Sequence, residues 1–289
     1  MLFRSPFPLG SGNAYRVPAV NIPLEGSVKN DSGSGGARRG NNGTGVISNI
    51  IARFRNTNTG IASKDTSPYA SVVSLSAGGV KEGDPNDEYL VLKTNGDVDG
   101  RITISDWRIE SLVTSTGTSI GGASPLPLSG QINSESPVAL GSNATVYLTT
   151  GRSPVGTSLR VNACTGYFAQ FQDFSPNLRK ECPLPENELR NSVSANFTPN
   201  TACSDFVDGL SRCTLTTTGI PSEAGSACQN FIQNNLTYNG CVAAHKGGAT
   251  FYKDEWRIYL DRDQELWRQS GEHIRLLDEN GLIIASVSY

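Results

Sequence analysis

Hydrophobic and polar positions alternate most clearly at the end of the chain. Trp256, Ile258 and Leu260 alternate with Arg257 and Tyr259, the period-two signature of a half-buried strand. Ile274 and Leu276 repeat the alternation after Gly271. Asp278-Glu279-Asn280-Gly281 supplies turn chemistry, with Asn280-Gly281 suited to positive φ. Beyond the turn, Ile283, Ala285, Val287 and Tyr289 are expected on one face, with Leu282, Ile284, Ser286 and Ser288 on the other. The pattern predicts one strand, a spacer and a closing hairpin.

A similar pattern runs from Ser67 to about Thr150. Ser71–Ser76 reads as a strand broken by Gly78-Gly79, and Asp84-Pro85-Asn86-Asp87 as a turn. Glu88–Lys93 is a second strand, with Leu90 and Leu92 opposing Tyr89 and Val91. Ile102 and Ile104 share a face of the next strand, and Trp107 and Ile109 continue in a shifted phase. That slip places a bulge or tight bend at Ser105-Asp106. Ala144, Val146 and Leu148 mark a further strand.

Between these β regions, residues 151–253 differ in character. Thr201–Leu210 puts Cys203, Phe206, Val207 and Leu210 on one helical stripe, and Ser226–Leu236 does so with Cys228, Phe231 and Ile232. Residues 1–66 are rich in Gly, Pro and Asn and read as a flexible arm or linker; within it, Val46-Ile47, Ile50-Ile51 and Phe54 form a short apolar patch. The expected organisation is an arm (1–66), a mainly β sandwich built from 67–150 and 254–289, and a cysteine-rich insert (151–253).

Apolar content of 37%, with 31 Gly and 15 Pro, fits a loop-rich β protein rather than a helical bundle. A formal charge of −3 with no long basic run gives no electrostatic footprint for nucleic acid. No apolar run approaches the ~20 residues needed to span a bilayer. All six cysteines, Cys164, Cys182, Cys203, Cys213, Cys228 and Cys241, fall in the insert. An even number clustered in this way predicts disulfides and an oxidising compartment, with the pairing open. Residues 1–24 lack the basic start, apolar stretch and small-residue cleavage site of a signal peptide; the cysteines outweigh that, and an extracytoplasmic location is expected.

Several chemistries are weighed in the residues. Asn95, Asp97, Asp99 and Asp106 fit oxygen-ligand positions of a twelve-residue calcium loop, with Gly100 at its sixth position. Asn at the first position and Asp at the last weaken it, and its flanks read as strands. A polar β-connection is the preferred reading, with no metal or other cofactor expected and calcium as the alternative. Zinc is disfavoured because no Cys-x2-Cys pair exists. The two histidines, His245 and His273, lack a Gly-x-Ser-x-Gly elbow or a His-Glu-x-x-His motif. Trp107 and Trp256 are expected in the core, whereas Trp267 follows a charged stretch and is the candidate for an exposed contact.

Asp87-Glu88-Tyr89-Leu90-Val91-Leu92, then Ile102-Thr103-Ile104-Ser105-Asp106-Trp107-Arg108-Ile109, resembles the opening of a lamin-tail domain. Gly271–Asp278, Asn280-Gly281 and Val287-Ser288-Tyr289 resemble its closing hairpin. The sequence departs from the family at Asp106, where Gly is usual. The insert is similar to one in some bacterial lamin-tail proteins, through Thr150–Pro154, Cys164-Thr165-Gly166-Tyr167-Phe168, Cys182-Pro183 and Tyr238-Asn239-Gly240-Cys241. The resemblance implies an immunoglobulin-like β-sandwich interrupted by a cysteine-rich subdomain, with Tyr89, Trp107, Trp256 and Tyr289 in its structural core. It implies interaction or scaffolding with a protein or cell-surface partner rather than catalysis. The expected function is therefore a non-enzymatic, extracytoplasmic binding module whose insert is the recognition surface. Two alternatives stand beside it: a hydrolase with a site between insert and sandwich around His245, and a surface adhesion module stiffened by calcium at Asn95–Asp106.

Overall fold

A computed structural model describes residues 65–289 of the chain. The expected arm, including its apolar patch at 46–54, lies outside the described residues except for Asp65 and Thr66. Those two already belong to the β region: Ile283 donates its N–H to the Asp65 carbonyl and Ser67 donates to the Ile283 carbonyl.

Eleven strands are present among the described residues: β1 (Val73–Ala77), β2 (Tyr89–Thr94), β3 (Ile102–Thr103), β4 (Arg108–Ser111), β5 (Gly117–Ser119), β6 (Ala139–Leu140), β7 (Thr145–Thr149), β8 (Leu159–Asn162), β9 (Tyr252–Tyr259), β10 (His273–Leu277) and β11 (Ile283–Ser288). They form a five-stranded sheet in the order β1-β2-β7-β9-β8, a four-stranded sheet β11-β10-β4-β5, and a small β3-β6 pair. The protein is mainly β, and the two larger sheets share one core. Leu90, Leu92, Val146, Leu148, Trp256 and Ile258 of the first sheet are buried with Ile109, Ile274, Leu276 and Ile284 of the second. Burying each such side chain stabilises the fold by roughly 1.5–3 kcal/mol, which is why the alternation marks these strands.

β7 and β9 pair in parallel, Val146 beside Trp256 and Leu148 beside Ile258. Parallel neighbours need a long crossover, and residues 150–251 supply it. The crossover contributes a strand of its own, because β8 pairs antiparallel with β9. Leu159–Asn162, within the stretch expected as insert, thus belongs to the sheet.

β9 also departs from the half-buried pattern. Trp256, Arg257, Ile258 and Tyr259 are all buried. Trp256 and Ile258 face the inter-sheet core, while Tyr259 joins a second cluster with Leu159, Tyr167, Phe168 and Phe251. The insert covers the outer face of this sheet, so a polar-looking alternation is buried on both sides.

The insert carries 3-10 turns at Thr165–Gln170 and Ser222–Ala224, and helices α1 (Pro185–Asn191), α2 (Thr201–Asp208), α3 (Gly225–Asn235) and α4 (Tyr238–His245). α2 and α3 match the two expected helical stripes. Asn200 caps α2 by accepting from the Cys203 N–H, and Thr237 caps α4 by accepting from Gly240. Three disulfides staple the insert: Cys164–Cys241, Cys182–Cys213 and Cys203–Cys228, with Cα separations of 5.9, 5.3 and 5.8 Å. Cys203–Cys228 joins α2 to α3, and no cysteine is free among the described residues. Such bonds persist in oxidising compartments.

At the bend before Trp107, Asp106 adopts φ 72°, the left-handed region that favours glycine. Its N–H donates to the Ile120 carbonyl, and the turn drives Trp107 into the core, where Nε1 donates to Glu279 at 3.0 Å. In the last hairpin Gly281 has φ 77° and Asp278 Oδ1 accepts from the Asn280 and Leu282 N–H groups.

Three expectations about side chains are corrected. Tyr89 is half-buried rather than in the core; it sits on the outer face of β2 at 5.9 Å from Tyr147, while its neighbours Leu90 and Leu92 point inward. The two faces expected for the last strand are not kept apart: Ile284 is in the core against which Ala285, Val287 and Tyr289 also pack, and a register shift after Leu276 pairs Leu277 with Ile283. Trp267 is 3% exposed rather than a surface contact. The segment between β9 and β10 folds back so that Leu266 and Trp267 enter the core, and both backbone N–H groups donate to the Glu88 carboxylate at 2.9 and 3.1 Å. Trp107 and Trp256 are buried as expected, and Tyr289 packs half-buried against the same core.

Glu88 is fully buried, and burial raises its carboxyl above the usual range against the opposing pull of those two N–H groups. A raised folded value means the folded protein holds the proton more tightly than the unfolded chain. Its contribution is therefore full below the unfolded carboxyl value and is lost as pH rises through the folded one. Lowering the pH from 7 toward 5 is expected to raise the melting temperature, and Glu88→Gln to abolish that gain. The amide turns a donor toward one of two N–H donors, so Glu88→Gln is also expected to cost about 1–3 kcal/mol at pH 7. Melts of both proteins at the two pH values check this; an unchanged pH response in Glu88→Gln would rule out Glu88 as its source.

Candidate functional site

A groove of about 330 Å³ opens on the insert, lined by Ser129, Tyr167, Phe168, Phe171, Gln172, Leu215, Thr237, Tyr238 and Asn239. Two distant sequence motifs build it. Cys164–Phe168 gives the first 3-10 turn, and Tyr238–Cys241 opens α4. The Cys164–Cys241 bond locks them together, and the Phe168 and Tyr238 rings pack with centroids 4.2 Å apart. Glycines permit the approach: a Cβ on Gly166 would lie 2.4 Å from Cys213 Sγ, and one on Gly240 would lie 2.0 Å from the Asn234 carbonyl.

A loop of the β region is stitched to this wall. The Tyr238 hydroxyl donates to the Pro127 carbonyl at 2.6 Å and accepts from the Asn162 amide at 3.1 Å. The Asn239 side chain accepts from the Ser129 N–H and donates to the Ser129 carbonyl, both at 3.0 Å. Gln170 makes the same two-sided contact with Leu215. Burial pushes the Tyr238 and Tyr167 hydroxyls up to about 12, assisted at Tyr167 by the Glu188 carboxylate, so both stay protonated. No charged side chain lines the groove, and Phe171 stands at its edge 69% exposed. Phe171 and Gln172 escaped the sequence reading because a single turn carries no periodicity; the aromatic cluster Tyr167-Phe168 with Phe171 close behind a cysteine was the available signal.

His245, the centre of the alternative hydrolase reading, ends α4 and faces α1. Its Nε2 lies 2.9 Å from both oxygens of Glu188. Glu188 is on α1 with its side chain 12% exposed. Among the described residues the side-chain hydrogen bonds of His245 go to Glu188. His273 is exposed on β10 beside Ser288 at 3.2 Å.

Asn95, Asp97, Asp99 and Asp106 are not drawn into one cage. Asn95 Oδ1 accepts from the Asp97 N–H in a tight turn, its amide donates to the Ser71 carbonyl, and β3 lies between Asp99 and Asp106. Among the described residues no group of three or more His, Cys, Asp or Glu side chains gathers in a metal-binding arrangement. No described helix is long and apolar enough to cross a membrane.

Comparison with protein-family models, with curated proteins and with solved structures finds no match to this chain.

Proposed function

We propose that the chain is a non-enzymatic, extracytoplasmic binding module: a lamin-tail-type, immunoglobulin-like β-sandwich whose disulfide-stapled insert presents the recognition surface. The observation that carries this reading is the insert groove, an uncharged concavity with an exposed Phe171 at its edge, above a cluster that holds the Cys164–Cys241 and Cys182–Cys213 bonds. Rigid scaffolds that present exposed rings in a concavity are built for binding. The glycine-like backbone at Asp106 and the Asp278–Gly281 turn support the lamin-tail reading. So does the meeting of the two insert motifs at Cys164–Cys241. The disulfides support export.

The competing hydrolase centres on His245. The full chain is expected to show no turnover on a panel of ester, peptide, phosphate and glycoside substrates that depends on His245. Turnover abolished by His245→Ala, with the melt unchanged, would replace the binding reading with an enzymatic one.

A further inference from the structure

We infer that residues 263–271, the strap between β9 and β10, form a latch that Glu88 holds shut in acid and releases as the pH rises. The latch is independent of whatever the insert groove binds.

The strap's backbone is tied down by side chains. Just before it, Asp261 and Arg262 donate to the carbonyls of Gly151 and Thr150, and just after it Glu272 pairs with Tyr289. Among the described residues, no backbone–backbone hydrogen bond reaches residues 263–271. Two carboxylates take their place: Leu266 and Trp267 donate to Glu88, and Arg268 donates to Glu272 at 3.0 Å. The Thr116 hydroxyl adds one bond to the Leu266 carbonyl at 3.3 Å. Leu266 and Trp267 are buried, and the other seven strap residues are exposed. Left-handed turns at Asp261 (φ 52°) and Gly271 (φ 65°) bound the segment. A stretch with so few buried side chains and no backbone ladder is the kind that opens locally.

The two carboxylates are not held alike. Glu272 accepts from the Ser111 hydroxyl and from the His273 and Arg268 N–H groups. Glu88 has one backbone N–H on each oxygen. Among the described residues, neither forms an ion pair with Lys, Arg or His. The charges around Glu88 are mostly of its own sign: Glu265 on the strap, Glu272 on the second sheet, and Asp84 and Asp87 in its own turn. Arg262 and Arg268 are exposed. Burial, and then the charges of Glu272 and Glu88, push the Tyr289 hydroxyl up, so it stays protonated.

Burial pushes the Glu88 carboxyl up, with Glu265 adding and the Thr150, Leu266 and Trp267 contacts opposing. With the strap open, water reaches the carboxyl and its value returns to the ordinary range. The closed strap therefore binds the proton more tightly than the open one. Glu88's contribution to closure is full below the ordinary carboxyl value and is lost as pH rises through the closed-state value.

The test is hydrogen exchange of the full chain at low ionic strength, read by mass spectrometry from pH 5 to 8 and corrected for the chemical rate at each pH. Protection of the peptide carrying residues 263–271 is expected to fall as pH rises, by at most about tenfold per pH unit, the limit for one proton. Peptides from β2 and β9 are expected to keep theirs. Glu88→Gln is expected to remove the pH dependence of the strap. Glu265→Gln, at an exposed position, removes a like charge from beside Glu88 and is expected to move the fall to lower pH. A flat profile in the unsubstituted protein, an equal fall in β2 and β9, or a fall that survives in Glu88→Gln would each overturn the latch. So would a fall that Glu265→Gln leaves in place or moves to higher pH.

Discussion

Replacing Arg257 with alanine is expected to destabilise the fold by about 3–5 kcal/mol, the cost of breaking a buried charge network by removing one partner. Arg257 is 2% exposed on the outer face of β9. Its guanidinium pairs with Glu255 and donates to the carbonyls of Pro176 and Asn177, two residues of the insert. The same group lies 4.2 Å over the Tyr147 ring. Alanine would leave Glu255 without its cation, two carbonyls without donors, and a void between sheet and insert. Arg257→Lys keeps the charge but loses the planar fork and is expected to recover only part of the loss. Urea denaturation of the three proteins measures the ranking. A loss under about 1 kcal/mol for Arg257→Ala would mean that the insert does not depend on this contact for its seat on the sheet.

The second large effect is at Cys164–Cys241. This bond closes the longest loop of the three, with a sequence separation of 77, and both sulfurs lie in the cluster beneath the groove. The chain-entropy model gives roughly 4 kcal/mol for a loop of that length. Cys164→Ala combined with Cys241→Ala is expected to lose about that much. The helical part of the circular dichroism spectrum should melt before the strand part, because the sheets keep their own core at Leu90, Trp107 and Ile258. Removing Cys203–Cys228, with a separation of 25, is expected to cost less, about 3 kcal/mol. A single sharp melt, unchanged by the loss of Cys164–Cys241, would contradict this division of labour.

Much of the β region was legible because its strands bury one face. Leu90 and Leu92, Val146 and Leu148, and Ile274 and Leu276 recur at every second position, and all six are in the core. The slip at Ser105-Asp106 was equally readable, since two apolar pairs out of phase need a bend between them; φ 72° at Asp106 is that bend. The helices carrying Cys203 and Cys228 followed from their stripes.

What was not legible has definite causes. The helix α1 was not among the expected elements: it is seven residues long and begins on Pro185, where a missing N–H costs nothing. The helix at Tyr238–His245 has no apolar stripe to announce it, and Gly240 stands in it because the end of α3 passes too close for a Cβ. Arg257 and Tyr259 looked solvent-facing because a strand buried by a distant insert keeps polar side chains if their partners come with the insert. Trp267 was judged by its charged neighbours, while its position is set by Glu88, nearly 180 residues earlier. The groove was hidden for the same reason: its wall is made by Phe168 and Tyr238, which meet only when Cys164 and Cys241 bond.

Non-reducing peptide mapping of the full chain, recovered from the compartment where it accumulates, tests the disulfide-stapled insert most directly. The expected result is three linked peptide pairs, Cys164 with Cys241, Cys182 with Cys213 and Cys203 with Cys228, and no alkylatable thiol. Free thiols at these positions, or Cys164 bonded to any partner but Cys241, would contradict both the groove and the exported location inferred from it.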